Sequence, residues 1–240
     1  SFKLFSEVAD IAAEKPFGFT LVGMNADGSQ DPIVTTAGMA KAIIAINQFY
    51  DVMSDIENTD DPLIQPYVPE IKGKYMGLIQ QVLYFFSTFA QSHLMLKDGG
   101  FAQAYDLNAK KIVDGPRRLE DQLLMQGALS RVSVLLNSDL MRSAALDNLF
   151  FLNSKMWDSK LGFYKMTEDD KNHRLRLSQV AMAINNLKTL KAMADNMTQS
   201  AIPQASVFQM DALRELWLKR FFSDKVLGLW APQKVLEFSL

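Results

Sequence analysis

The stretch Met156-Trp157-Asp158-Ser159-Lys160-Leu161-Gly162-Phe163-Tyr164 closes a helical pattern with a glycine followed at once by two aromatic residues. The same punctuation stands at Phe17-Gly18-Phe19, at Asp98-Gly99-Gly100-Phe101 with Tyr105, and at Phe222-Ser223-Asp224 running to Gly228-Leu229-Trp230. Its spacing carries the fold: 62 residues separate Gly100 from Gly162, and 66 separate Gly162 from Gly228. The first interval, 82 residues from Gly18 to Gly100, is lengthened by an insertion containing Pro62, Pro66 and Pro69. A period of roughly 60 residues with two helices per unit describes stacked αα-hairpins that share one core with their neighbours.

Between the marks the periodicity is helical. Met39, Ile43, Ile46, Tyr50 and Met53 recur at three- and four-residue steps, with Lys41, Gln48 and Asp51 elsewhere on the wheel, predicting a helix over about 36–54. The polar run Asn58 to Asp61 and the prolines break it, and a second helix follows over about 70–93. Pro116, suited to a first helical turn, opens a helix to about Leu136, and Ser138 caps the next, on which Met141, Ala145, Leu149, Leu152 and Met156 share a face. Leu177, Ala181, Ile184 and Leu187 mark a helix over about 174–196, and Pro203 and Ser206 introduce one carrying Met210, Leu213, Trp217 and Phe221. With an opening helix over about 2–14, the chain reads as all-α. Its single domain divides into a leading helix and loop (1–35) and three hairpins (36–111, 112–172 and 173–240), part of a longer chain or assembly. Short β-hairpins are expected in the long connections: 101–106 and 110–113 flank the turn Leu107-Asn108-Ala109, and 163–166 precedes a polar turn at 167–172.

Composition narrows the chemistry. With 240 residues, 48% of them hydrophobic, the chain can bury a substantial core. A net charge of -2 gives no bulk attraction to nucleic acid. The absence of cysteine excludes disulfides, thiolate metal sites and thiol nucleophiles. Neither G-x-x-x-x-G-K-[ST], G-x-G-x-x-G nor G-x-S-x-G is present, which counts against nucleotide-binding loops and serine hydrolases. No cofactor or metal is expected. The uncharged run Tyr75 to Leu96 contains Gln80, Gln81, Ser87, Thr88, Gln91 and Ser92 and reads as a buried helix, with no transmembrane span. Ser1 reads as a processed or trimmed start; a processed N-terminus would favour a periplasmic or extracellular location, which the sequence otherwise leaves open.

The run Leu119-Glu120-Asp121-Gln122, an amphipathic helix, a second helix ending Met156-Trp157-Asp158, and then Gly162-Phe163-Tyr164 resembles one hairpin of the six-hairpin (α/α)6 toroids. These include N-acylglucosamine 2-epimerases, unsaturated glucuronyl hydrolases and the toroidal portion of thioredoxin-domain proteins. Six hairpins at this period need roughly 350 to 400 residues, so three hairpins make a partial ring. The resemblance implies a ligand basin where the inner-helix N-termini meet the glycine–aromatic connections. It places Arg117, Arg118, Glu120, Asp121 and Gln122 at one inner helix, and Arg174, Arg176, Ser178 and Gln179 at the next, on that rim. Phe101, Tyr105, Phe163, Tyr164 and Trp230 could line the same face. Aromatic faces with arginines and carboxylates suit a saccharide.

Each of these residues has a plainer role beside the functional one. Glu120 and Asp121 complement the dipole of a helix start, and adjacent helix residues point about 100° apart, so the two do not form an acid/base pair. Asp121 is the weak catalytic candidate, with Arg118, Asp121, Gln122, Arg176, Gln179, Tyr105, Tyr164 and Trp230 as substrate-binding candidates. Arg117 and Arg118 can equally tie down the preceding loop. The aromatics can plug the hairpin ends, and the methionines and Tyr84, Phe85, Phe86 and Phe89 read as core. His93 reads as a satisfied, partly buried side chain, His173 as exposed, and Glu168-Asp169-Asp170 as a solvated turn. Two functions follow: a carbohydrate-related toroid domain that binds or processes a sugar at the rim, or a non-catalytic accessory subunit packing against a protein partner that completes the ring.

Overall fold

The structure, a computed structural model, describes residues 31–158, 162–171 and 176–195. The expected helices over 2–14 and after Pro203, the first and last glycine marks, His173, Arg174 and Trp230 lie outside the described residues. In chain order the elements are β1 (Ile33–Thr35), α1 (Thr36–Glu57), α2 (Gly77–Phe89), β2 (Ala104–Asp106), β3 (Lys111–Val113), α3 (Leu119–Leu135), α4 (Asp139–Phe151), β4 (Trp157–Asp158), β5 (Phe163–Tyr164) and α5 (Leu177–Asp195).

Local signals set most boundaries. The Thr35 hydroxyl oxygen accepts from the Gly38 N–H at 3.1 Å and caps α1, and Ser138 accepts from the Met141 N–H at the start of α4. The proline-bearing insertion forms a turn and a 3-10 turn at Gln65–Tyr67. The second helix is longer than its periodicity predicts. It begins as one α-turn at Val68–Glu70, widens to π geometry over Ile71–Met76 and Ala90–Leu94, and is regular in between as α2. Pro116 does not open α3. Arg118 is still extended and bridges Thr167, and the Leu119 N–H donates to the Met166 carbonyl at 2.8 Å, so the neighbouring connection satisfies an orphan helix-start donor at Leu119.

Among the described residues the connections carry two small antiparallel sheets. In the first, of order β1-β2-β3, Tyr105 lies opposite both Val34 and Ile112. The β2–β3 hairpin is the expected one. The Ile33–Thr35 strand is an addition, too short to register beside the helix that begins at the next residue. In the second sheet Trp157 pairs with Tyr164 and Asp158 with Phe163.

The helices form two layers. α3 packs against α1, α5 and α4, and α1 packs against α2, so α1, α3 and α5 stand side by side with α2 and α4 behind them. Met39, Ile43, Leu83, Leu123, Leu149 and Leu187 belong to the continuous core between the layers. Among the described residues no helix is long and apolar enough to cross a membrane; α2 instead buries Ile79, Leu83 and Phe86.

The two glycine–aromatic marks among the described residues close the hairpin ends. Phe101, Phe163 and Tyr164 are all buried, and the Tyr164 hydroxyl donates to Asn153 Oδ1 at 2.9 Å while burial pushes its phenol up from the ordinary value. Gly99 has a φ of 86°, and a Cβ there would stand 2.3 Å from the Asp147 carbonyl oxygen on α4. Gly99→Ala therefore meets both an unfavourable left-handed backbone and a rigid main-chain clash. The expected loss is at least about 2 kcal/mol in chemical denaturation. A loss under about 0.5 kcal/mol would show that this close approach is not required.

Candidate functional site

In the inner layer, α1, α3 and α5, the starts of α1 and α3 are each stitched to a glycine–aromatic connection. The Thr36 N–H donates to the Gln103 carbonyl at 3.0 Å and the Thr36 hydroxyl to the Ala102 carbonyl at 2.5 Å, while Leu119 is held by Met166. These anchors hold the first turns of α1 and α3 beside the connections, and the pair Glu120–Arg176 brings the start of α5 next to that of α3.

Asp121 lies in the first turn of α3 and is half-buried. Its carboxyl is raised above the ordinary aspartate value, by burial first and by the Glu120 charge, against the opposing pull of Arg118 and of Lys41 on α1. No hydrogen bond or close ion pair holds this carboxylate among the described residues. Glu120 faces Arg176 instead, 3.8 Å away at the start of α5, with both side chains well exposed. Lys41, Arg118, Glu120, Asp121 and Arg176 thus form one polar patch to which all three inner-layer helices contribute. Lys41 had no signal in the sequence, because it is 80 positions from Asp121 and belongs to another hairpin.

The remaining candidates separate. Gln122 is fully buried: its Nε2 donates to the Phe101 carbonyl at 2.8 Å, and its Oε1 accepts from the Phe101 N–H at 2.8 Å and from Asn148 Nδ2 at 2.9 Å. Gln179 is 1% exposed, with an occluded Oε1 that has no hydrogen-bond partner among the described residues. Tyr164 is enclosed in the core. Tyr105 lines a cavity with α2 residues and with none of the rim residues. Arg118, Asp121 and Arg176 are therefore the predicted residues that the rim brings together with open surface.

Arg117 ties the loops. Its Nη1 donates to Asp98 at 2.7 Å, its Nε and Nη2 donate to Glu168, and its guanidinium lies 4.2 Å over the Phe151 ring. Glu168 is thus the anchor of a clamp rather than part of a solvated turn. Behind the rim, a groove of about 540 Å³ runs along α1, α3 and α5, lined by Ile44, Leu124, Gly127, Met182 and Asn186, with Asp51 and Arg131 paired across it.

No protein-family model matches the sequence, and no curated protein matches it. Solved structures match through the fold. A cellobiose 2-epimerase from Spirochaeta thermophila aligns over 96% of this chain and 59% of its own, with a TM-score of 0.60 and 12% identity. The unsaturated glucuronyl hydrolase from Bacillus sp. GL1 aligns over 94% of this chain and 58% of its own, with a TM-score of 0.61 and 9% identity. A D-mannose isomerase aligns over 90% and 50%, with a TM-score of 0.58 and 10% identity.

The chain has the fold of the (α/α)6 toroid proteins. It spans between 50% and 59% of the length of these three structures.

Proposed function

We propose that this toroid arc binds or processes a saccharide at the rim formed by the N-termini of α1, α3 and α5. The observation that carries the reading is Asp121: a half-buried carboxyl, raised by burial, without a hydrogen-bond partner among the described residues and flanked by Lys41 and Arg118. Such a group accepts a sugar hydroxyl when ionised and donates a proton when neutral. Arg118 and Arg176 supply donors for ring hydroxyls or a uronic carboxylate, with Arg118 the freer, because Glu120 engages Arg176. One proton-transfer group at the rim fits binding, or a reaction with proton transfer at one centre. The sugar epimerases and glycuronyl hydrolase that share the fold support the substrate class.

The test is Asp121→Asn with a panel of mono-, oligo- and uronic saccharides, followed by tryptophan fluorescence and calorimetry. Because the folded carboxyl is raised, its contribution to stability is complete below the unfolded aspartate value and is lost as pH rises through the folded one. Ionised Asp121 is thus a burden at neutral pH, and the amide is expected to leave Tm unchanged or higher while weakening saccharide binding about tenfold or more. A lower Tm with unchanged binding would make Asp121 a structural residue. No response to any saccharide would return the chain to the accessory role set out from its sequence.

A further inference from the structure

Between the C-terminal half of α2 and the β2–β3 hairpin lies a cavity of about 720 Å³, the size of a small-molecule site. Its wall is aromatic and fixed. The Phe89 and His93 rings stack at 4.5 Å with planes 12° apart, and Tyr105 meets them edge-on at 5.9 and 5.0 Å. Tyr84, 47% exposed, and Phe85 continue the wall outward, although their sequence pattern reads as core.

We propose that this cavity is a second ligand site, separate from the rim, for a planar aromatic molecule carrying one anionic group, such as an aryl or indolyl carboxylate. The charge follows from the lining. Lys110 is its cation, no carboxylate lines it among the described residues, and no ion pair engages Lys110 there. Lys110 also holds a φ of 50°, a left-handed turn conformation where glycine or asparagine is the ordinary choice. His93 contributes its ring to the wall, and its occluded Nδ1 has no hydrogen-bond partner among the described residues. The preference for an aromatic ring over a sugar follows from the polar inventory: Thr88, Ser92 and Asn108 are too few to satisfy a ring of hydroxyls.

Titration of the whole chain with indole-3-acetate and its neutral analogue indole-3-acetamide, by calorimetry, tests the site. Saturable binding of the acid is expected, at least about fivefold tighter than the amide, with the preference shrinking as ionic strength rises. Lys110→Gly and Lys110→Asn are expected to abolish the preference while Tm is unchanged or rises, because both residues accept the left-handed backbone. Tyr84→Ala should weaken both ligands alike, and Asp121→Asn should affect neither. The proposal is overturned by the absence of saturable binding or by equal affinity for acid and amide. It is equally overturned if the preference survives in both Lys110 variants, if binding is lost in Asp121→Asn, or if glucuronate binds as tightly as the indolyl acid.

Discussion

Gln122→Leu is expected to lower stability by about 3 to 4 kcal/mol, which for a chain of this size moves Tm down by about 10 °C. The side chain binds the Phe101 peptide at both ends, donating to its carbonyl and accepting from its N–H, each at 2.8 Å, in a fully buried site. Leucine fills the volume but leaves that N–H and carbonyl without partners and removes the acceptor for Asn148 Nδ2, which also donates to the Gly99 carbonyl at 3.2 Å. The clamp joins α3, the glycine–aromatic connection and α4, so its loss should also speed hydrogen exchange at Gly99 to Phe101. A Tm fall below about 3 °C would mean that these groups find other partners on relaxation.

Arg117→Met is expected to cost about 2 to 3 kcal/mol and to change the acid sensitivity of the fold. The guanidinium side chain is only 14% exposed, and it spans Asp98 in one connection and Glu168 in the next while covering Phe151. Methionine keeps the stem but leaves two carboxylates facing each other. Burial alone would raise Asp98, but the Arg117 hydrogen bonds, the Gly100 N–H at 3.1 Å and the Arg117 charge outweigh it, holding the carboxyl below its ordinary value of 3.8. The stabilisation is therefore complete above the unfolded carboxylate value and is lost as pH falls through the folded one. Thermal melts of wild type and Asp98→Asn should differ most near neutrality and converge only below the ordinary carboxylate range. Parallel curves down to acid pH would show that the clamp does not depend on Asp98 ionisation. Space at this joint is also tight, since a Cβ at Gly100 would lie 2.6 Å from Arg117 Nη1 and 2.8 Å from the Phe151 ring.

Much of this architecture is visible in local patterns. The α1 apolar series, the Ser138 cap, the β2–β3 hairpin and the start of a helix near Leu177 are each decided by residues a few positions apart. The repeat of the glycine marks converts those pieces into a hairpin array. The candidate site was legible only in part. Arg118, Asp121 and Arg176 occupy the rim, but Gln122, at the same helix start, spends its amide on a backbone 21 residues earlier and on Asn148, 26 residues later. A glutamine in the first turn of a helix carries no sign of which partner it will meet. Likewise, the aromatic run on α2 has one periodicity and two environments: Phe86 turns into the core, Phe89 stands between core and cavity, and Tyr84 and Phe85 line a cavity whose other wall comes from the β2–β3 hairpin.

The sequence by itself determined the helices of the described residues and the start of α1, because helix periodicity and capping are local. Only the tertiary structure decided that the Lys41 charge acts on Asp121, that Arg117 binds Asp98 and Glu168, and that Phe101, Phe163 and Tyr164 are plugs rather than open surface. Those outcomes depend on how burial is shared between hairpins. A carboxylate, an amide or a ring acquires its role from neighbours that lie tens of residues away in the chain and are brought close only when the layers pack.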